Sequence, residues 1–163
     1  MALPQLFLTE QDLSEFDARF HLRPPLRSQA DREALRAAVA DGEIPVICSG
    51  HSPQGNDAKE GPFATTAPGG TGIDTLLPLT LRLVEEDVLG LADALARLTS
   101  GPASVLGLDT GRLTPGRPAD VCVFDPEAVW WSPPGADAQP GPGASPFPGL
   151  GAHRPRHRHF GGR

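Results

Sequence analysis

The chain has no tyrosine and only two tryptophans, and aromatic residues make up 6% of its 163 positions. It also has no excess of basic charge: 14 Lys and Arg stand against 20 Asp and Glu, a formal net charge of −6. Few stacking rings and a negative balance exclude general nucleic-acid binding by bulk electrostatics. No apolar run approaches the ~20 residues that span a bilayer, so no membrane association is expected. The opening residues, MALPQLF, lack the basic start and long apolar centre of a secretory signal. A cytoplasmic location is the expectation. Cysteine is scarce too. Cys48 and Cys122 each lie in an apolar stretch (VICS and VCVF). They are expected to be buried small hydrophobes in a reducing compartment, not a disulfide.

Glycine and proline, by contrast, are abundant at 19 each, and unevenly spread. Residues 132–163 hold seven Pro and seven Gly and end in the basic, unpatterned HRPRHRHFGGR. Such a segment buries too little apolar surface to offset chain entropy and is expected to be disordered. Its His153, His157 and His159 sit among Arg and Pro with no rigid spacing, so a solvated tail is favoured over a chelating site. No internal repeat is evident.

Residues 1–131 carry a coarse β/α pattern. Leu6, Phe7 and Leu8 form a strand-like run, and TEQDL after them opens a turn or short helix. RPPLR over 23–27 is extended, because residues before proline avoid the α region. Ser28 and Asp31 have capping-box-like spacing, Leu35, Ala38 and Val39 form an i, i+3, i+4 stripe, and Gly42 is a left-handed cap. Residues 44–48 read as a short buried parallel strand. A long polar loop, 49–72, follows it. Helices are expected over 74–86 and 88–98, a helical turn over 102–108 and a strand over 120–125. Strand, long loop at its C-terminal end, then helix is how a β/α barrel carries chemistry, but a whole barrel takes about 250 residues.

The loop is the most informative segment. ICSGHSPQ (47–54) is followed by DAKEGPF (57–63), PGGTG (68–72) and LLPLTL (76–81). This series resembles the dihydroorotases of the amidohydrolase superfamily, in which the eighth barrel strand ends in Thr-Asp-His-Ala-Pro-His, followed by Lys, Pro-Phe and a Gly-rich turn into a Leu-rich helix. Residues 6–28 resemble the family's stretch after strand six. Residues 106–126 (LGLDTGRLTPGRPADVCVFDP) resemble the return to the small β-domain. The resemblance covers residues 3 to about 131. It implies an α/β fold: the C-terminal part of a (β/α)8 TIM-like barrel over 1–100, a return to the small β-sandwich domain over 101–131, and the tail over 132–163.

The departures from the family pattern bear on chemistry. Active members bind one or two zinc ions through two His on the first strand, a carboxylated Lys or an Asp near the fourth, and a His each from strands five and six; an Asp ending strand eight is the general base. The resemblance begins after the first five strands, so no metal cofactor is expected in this chain. The strand-six His falls near Pro4 and Gln5. The catalytic Asp aligns with Gly50, the second loop His with Gln54, and the substrate-side Asn with Arg23. His51, Pro53, Lys59 and Phe63 stay in place. Arg23, His51, Pro53 and Gln54 are thus the remnant of a substrate loop, with no catalytic residue. Asp57 and Glu60 lie seven and ten positions past Gly50 and have no metal to serve. Trp130 and Trp131 are assigned to apolar core contacts.

Three readings follow. Degenerate copies in this family accompany aspartate carbamoyltransferase, so the chain is expected to be a non-catalytic, dihydroorotase-like partner of that enzyme. A truncated zinc-dependent cyclic amidohydrolase and a non-functional gene fragment are the alternatives. The Leu-rich helices at 74–98 would then leave apolar faces exposed, which implies a partner or aggregation.

Overall fold

The structure, a computed structural model, describes residues 1–117, 120–131, 145–147, 151–153 and 158–160. The chain opens with 3₁₀ turns at Leu3–Leu6, Glu10–Leu13 and Ala18–Phe20. Helices α1 (Gln29–Ala40), α2 (Asn56–Lys59), α3 (Ile73–Glu85), α4 (Leu91–Leu98) and α5 (Ser100–Val105) follow. Short strands β1 (Val121–Val123), β2 (Val129–Trp131), β3 (Gly151–His153) and β4 (Arg158–Phe160) complete the described elements.

Local chemistry sets the helix ends. Thr9 and Asp12 close one capping box and Ser28 and Asp31 another, each side chain reaching back to the other residue's backbone. α1 then stops at Asp41, where Gly42 takes φ +84°. α3 keeps Pro78 in its interior; the Thr80 hydroxyl donates to Leu76 O at 2.7 Å nearby, and both residues are buried. Gly90 caps α4, so the second helix starts later than the apolar spacing implies.

The core is one cluster of Leu3, Leu6, Val39, Ile47, Leu79, Leu83, Leu89, Ala94 and Phe147. α1 and α3 meet across the Leu3–Leu6 turn, and α4 lies on α3 and α5. Each buried leucine contributes about 1.5–3 kcal/mol of transfer free energy.

Several expectations need correction. The run at 6–8 is not a strand. Pro4, which has no N–H, sits in the first turn of the Leu3–Leu6 3₁₀ segment, whose i, i+3 spacing turns Leu3 and Leu6 together into the core. Residues 44–48 do not form a full parallel strand. They make one parallel bridge, Ala2 to Cys48. The Met1 ammonium donates to Val46 O, Cys48 N–H to Met1 O and Leu3 N–H to Cys48 O, each at 2.8 Å. Pro45 supplies no donor, and Ile47 N–H turns to Arg97 O at 3.1 Å. Both cysteines are exposed rather than buried. The two-residue alternation puts Ile47 inward and Cys48 outward. Among the described residues β1 pairs only with β4, and Val123 is 54% exposed.

Within 132–163, three stretches depart from the expected disorder. Phe147 is buried and meets Phe7 edge-on at 6.3 Å. β3 pairs antiparallel with β2, and β4 with β1. The rest of that segment lies outside the described residues, as do the side chains of Trp130, Trp131, His153, His157 and His159.

Candidate functional site

Two loops make the site: 49–54, which leaves the Ala2–Cys48 bridge, and the Gly-rich turn 68–72, which enters α3. They interlock through backbone. Ser52 N–H donates to Gly70 O at 2.9 Å. Gly72 N–H donates to Nδ1 of His51 at 3.3 Å, and His51 N–H reaches Ser49 Oγ at 3.2 Å. With Nδ1 accepting, a neutral His51 carries its proton on Nε2. No side chain fits between the loops. A Cβ on Gly72 would lie 2.4 Å from Ser49 O, and one on Gly69 would lie 2.3 Å from Ser52 O and 3.1 Å from Nε2 of Gln54.

Gly50 heads the loop at φ +67°, with Ala2 and Pro4 each 3.4 Å from where its Cβ would stand. Gly50 therefore sits against the Ala2–Pro4 segment. Gln5, buried next to Pro4, donates Nε2 to Pro24 O at 2.8 Å, while its Oε1 has no partner among the described residues. His51 and Gln54 are half-buried and Pro53 is exposed. Arg23 is exposed and precedes a cis bond to Pro24. The structure thus brings His51 and Gln54 to the Gly-rich turn and Gly50 to Ala2 and Pro4, while Arg23 has no hydrogen-bond or ion-pair partner among the described residues.

A second cluster braces the first. Lys59 Nζ donates to Ala18 O at 2.9 Å and His21 O at 3.3 Å. Burial holds its ammonium below the usual lysine range, opposed by the Asp17 charge. The hydrogen bond from the Arg19 guanidinium holds the Asp17 carboxyl below the usual carboxylate range, against the effect of burial. The His21 ring lies on Phe63 with centroids 4.6 Å apart. The Thr66 hydroxyl donates to Phe63 O at 2.8 Å, so at 2.9 Å it accepts from Nδ1 of His21. His21 O in turn receives Gly69 N–H at 2.8 Å. His21 and Thr66 carried no functional signal in the sequence. They are 45 positions apart, and no local period links them.

The donors present do not fit a zinc ion. Zinc takes three or four convergent ligands. Among the described residues no three His, Cys, Asp or Glu side chains converge, and Nδ1 of His51 is engaged by a backbone donor. Asp57 and Glu60 are exposed.

A family model described as Amidohydrolase family matches residues 13–151. The chain belongs to the amidohydrolase family. Among curated relatives of this amidohydrolase-family chain, the dihydroorotase-like protein of Pseudomonas aeruginosa is 50% identical over 127 residues, covering 78% of this chain and 30% of that protein. A dihydroorotase of Syntrophotalea carbinolica is 49% identical over 123 residues, covering 76% and 29%. The chain therefore spans about 30% of the length of the curated relatives it matches. Among solved structures, L-hydantoinase from Arthrobacter aurescens superposes with a TM-score of 0.86 at 22% identity, covering 97% of this chain and 37% of that one. Dihydroorotase from Saccharomyces cerevisiae, solved with 5-fluoroorotic acid, gives 0.78 at 15% identity, covering 100% and 43%. At these identities the superpositions establish shared fold alone. Among the described residues no helix is long and apolar enough to cross a membrane.

Proposed function

We propose that this chain is a dihydroorotase-like protein of de novo pyrimidine biosynthesis, non-catalytic in itself, that acts in the cytoplasm as a structural partner of aspartate carbamoyltransferase. The observation that carries this reading is Gly50: the position aligned with the family's general base has no side chain, while the loop around it keeps its interlocking geometry. Retained packing beside lost chemistry suits a protein kept for its surface. Arg23, His51, Pro53 and Gln54 are then remnants of a substrate loop rather than a working site. The 50% identity to a protein named dihydroorotase-like supports the same assignment.

The test is co-purification of the chain with aspartate carbamoyltransferase, alongside ring-opening of dihydroorotate with zinc and with a chelator. Stable association without zinc-dependent turnover is the expected result. A folded chain that recovers no aspartate carbamoyltransferase overturns the partnership. Zinc-dependent ring-opening overturns the non-catalytic assignment and supports a truncated cyclic amidohydrolase, the reading favoured by the 49% identity to a curated dihydroorotase. That outcome would need another base to recover the ~10²–10⁴-fold that a positioned proton acceptor supplies.

A further inference from the structure

A cleft away from the loops lies between α5 and residues 108–117, with a volume of about 250 Å³. It is a built feature. Leu108 N–H donates to Ala103 O at 2.8 Å, and Gly107 N–H to Ser104 O at 3.2 Å, folding the chain back on the helix. Gly111 presses so closely on Thr99 that a Cβ there would lie 2.7 Å from its carbonyl oxygen. Any side chain at 111 would lift the wall of the cleft.

The lining is unusual in its polarity. Ser100, Ser104, Thr110 and Thr114 bring four hydroxyls to it, and Arg112 and Arg117 two guanidinium groups. Arg117 is ion-paired with Asp109, which also lines the cleft, so that pair is neutral. Arg112 keeps a full positive charge with no ion pair among the described residues. None of the four hydroxyls has a side-chain hydrogen bond there either. The cleft thus holds one net positive charge and four rotatable hydroxyls, each able to donate.

We propose that this cleft binds a small tetrahedral oxyanion of the phosphate class, either free or as the terminal group of a phosphate monoester. Hydroxyls turn their protons toward acceptor oxygens, and a guanidinium meets an anionic oxygen pair in a bidentate fork. The volume falls below the ~300–1,000 Å³ of drug-sized sites, which suits a headgroup rather than a large ligand. This assignment does not depend on the proposed partnership with aspartate carbamoyltransferase.

Calorimetric titration of the full chain with inorganic phosphate, and separately with glycerol 2-phosphate, at fixed ionic strength tests it. Saturable one-to-one binding is expected, weakened about tenfold or more by Arg112→Gln and measurably by Ser104→Ala. Arg27→Gln, which removes an equal charge from an exposed side chain on the N-terminal side of α1, should leave affinity unchanged. Tighter binding of the free anion identifies phosphate as the ligand, and tighter binding of the ester identifies a phosphorylated metabolite. Absence of saturable heat at millimolar phosphate, or equal weakening by Arg112→Gln and Arg27→Gln, overturns the proposal.

Discussion

Gly72→Ala isolates the contact on which the candidate site is built. Gly72 has φ −153° and ψ −5°, so its φ is not left-handed, and a new methyl there meets the neighbouring loop directly. Its carbon would stand 2.4 Å from Ser49 O and 3.3 Å from Ser49 C. Both neighbours are backbone, which cannot rotate away as a side-chain tip could. Relief requires the 49–54 loop and the N-terminus of α3 to separate, and that stretches the Gly72–His51 hydrogen bond, already 3.3 Å long. Overpacking of this kind costs about 1–3 kcal/mol, and a weakened hydrogen bond adds about 0.5–1.5 kcal/mol. For a chain of this size each kcal/mol moves the melting temperature by about 2–4 °C. Thermal unfolding followed by far-UV circular dichroism should therefore show a loss of about 3–18 °C. Gly55→Ala is the matched control, because nothing lies within 4 Å of its Cβ position. It should change stability by no more than about 1 kcal/mol, in either direction. If Gly72→Ala melts within a degree of Gly55→Ala, the loop does not rest on the Gly-rich turn and the geometry of the site is wrong.

Three further outcomes are expected. Leu83→Ala, at a fully buried position, should lower stability by about 2–5 kcal/mol in denaturant titration. Burial works to raise the Glu86 carboxyl, but hydrogen bonds from Arg36 and Arg82 outweigh it and hold the group below its ordinary range. A carboxylate with a lower pKa folded than unfolded stabilises above the ordinary carboxylate range, and the contribution fades as pH falls through the folded value. Glu86→Gln should thus cost up to about 1 kcal/mol at neutral pH and flatten the acid limb of a stability-against-pH curve. Lys59→Met should cost about 1 kcal/mol and speed amide exchange at Gly69, whose N–H rests on the same His21 carbonyl that Lys59 holds. It should also remove the rise in stability with pH just below the ordinary lysine range, since burial makes the folded chain release that proton first.

Local chemistry made much of the helical half legible. The Ser28–Asp31 box, the Leu35–Val39 stripe and Gly42 bracket α1 within a residue, and the Leu-rich spacing locates α3 within one residue at each end. These signals sit within four positions of one another, so the sequence carries them whole. The sequence-level strand readings were less faithful because a strand is defined by its neighbours. Residues 44–48 have the apolar run of a buried parallel strand, yet the described structure offers them only Met1–Leu3 to pair with. Phe147 and the segments 151–153 and 158–160 looked unpatterned, and gained order from contacts with the distant Phe7, β2 and β1.

The sequence by itself determined that the loop after residues 44–48 carries Gly50, His51 and Gln54, since residue identity is independent of how the chain folds. It determined the helix caps for the same local reason. Only the tertiary structure decided that Gly69 and Gly72 lie against Ser52 and Ser49, that His51 spends Nδ1 on a backbone donor, and that His21, Phe63, Thr66 and Lys59 form a brace behind them. Those contacts join residues about 20 to 45 positions apart. Closing such distances depends on burying the leucine core beneath them, a property of the whole fold that no short window of sequence expresses.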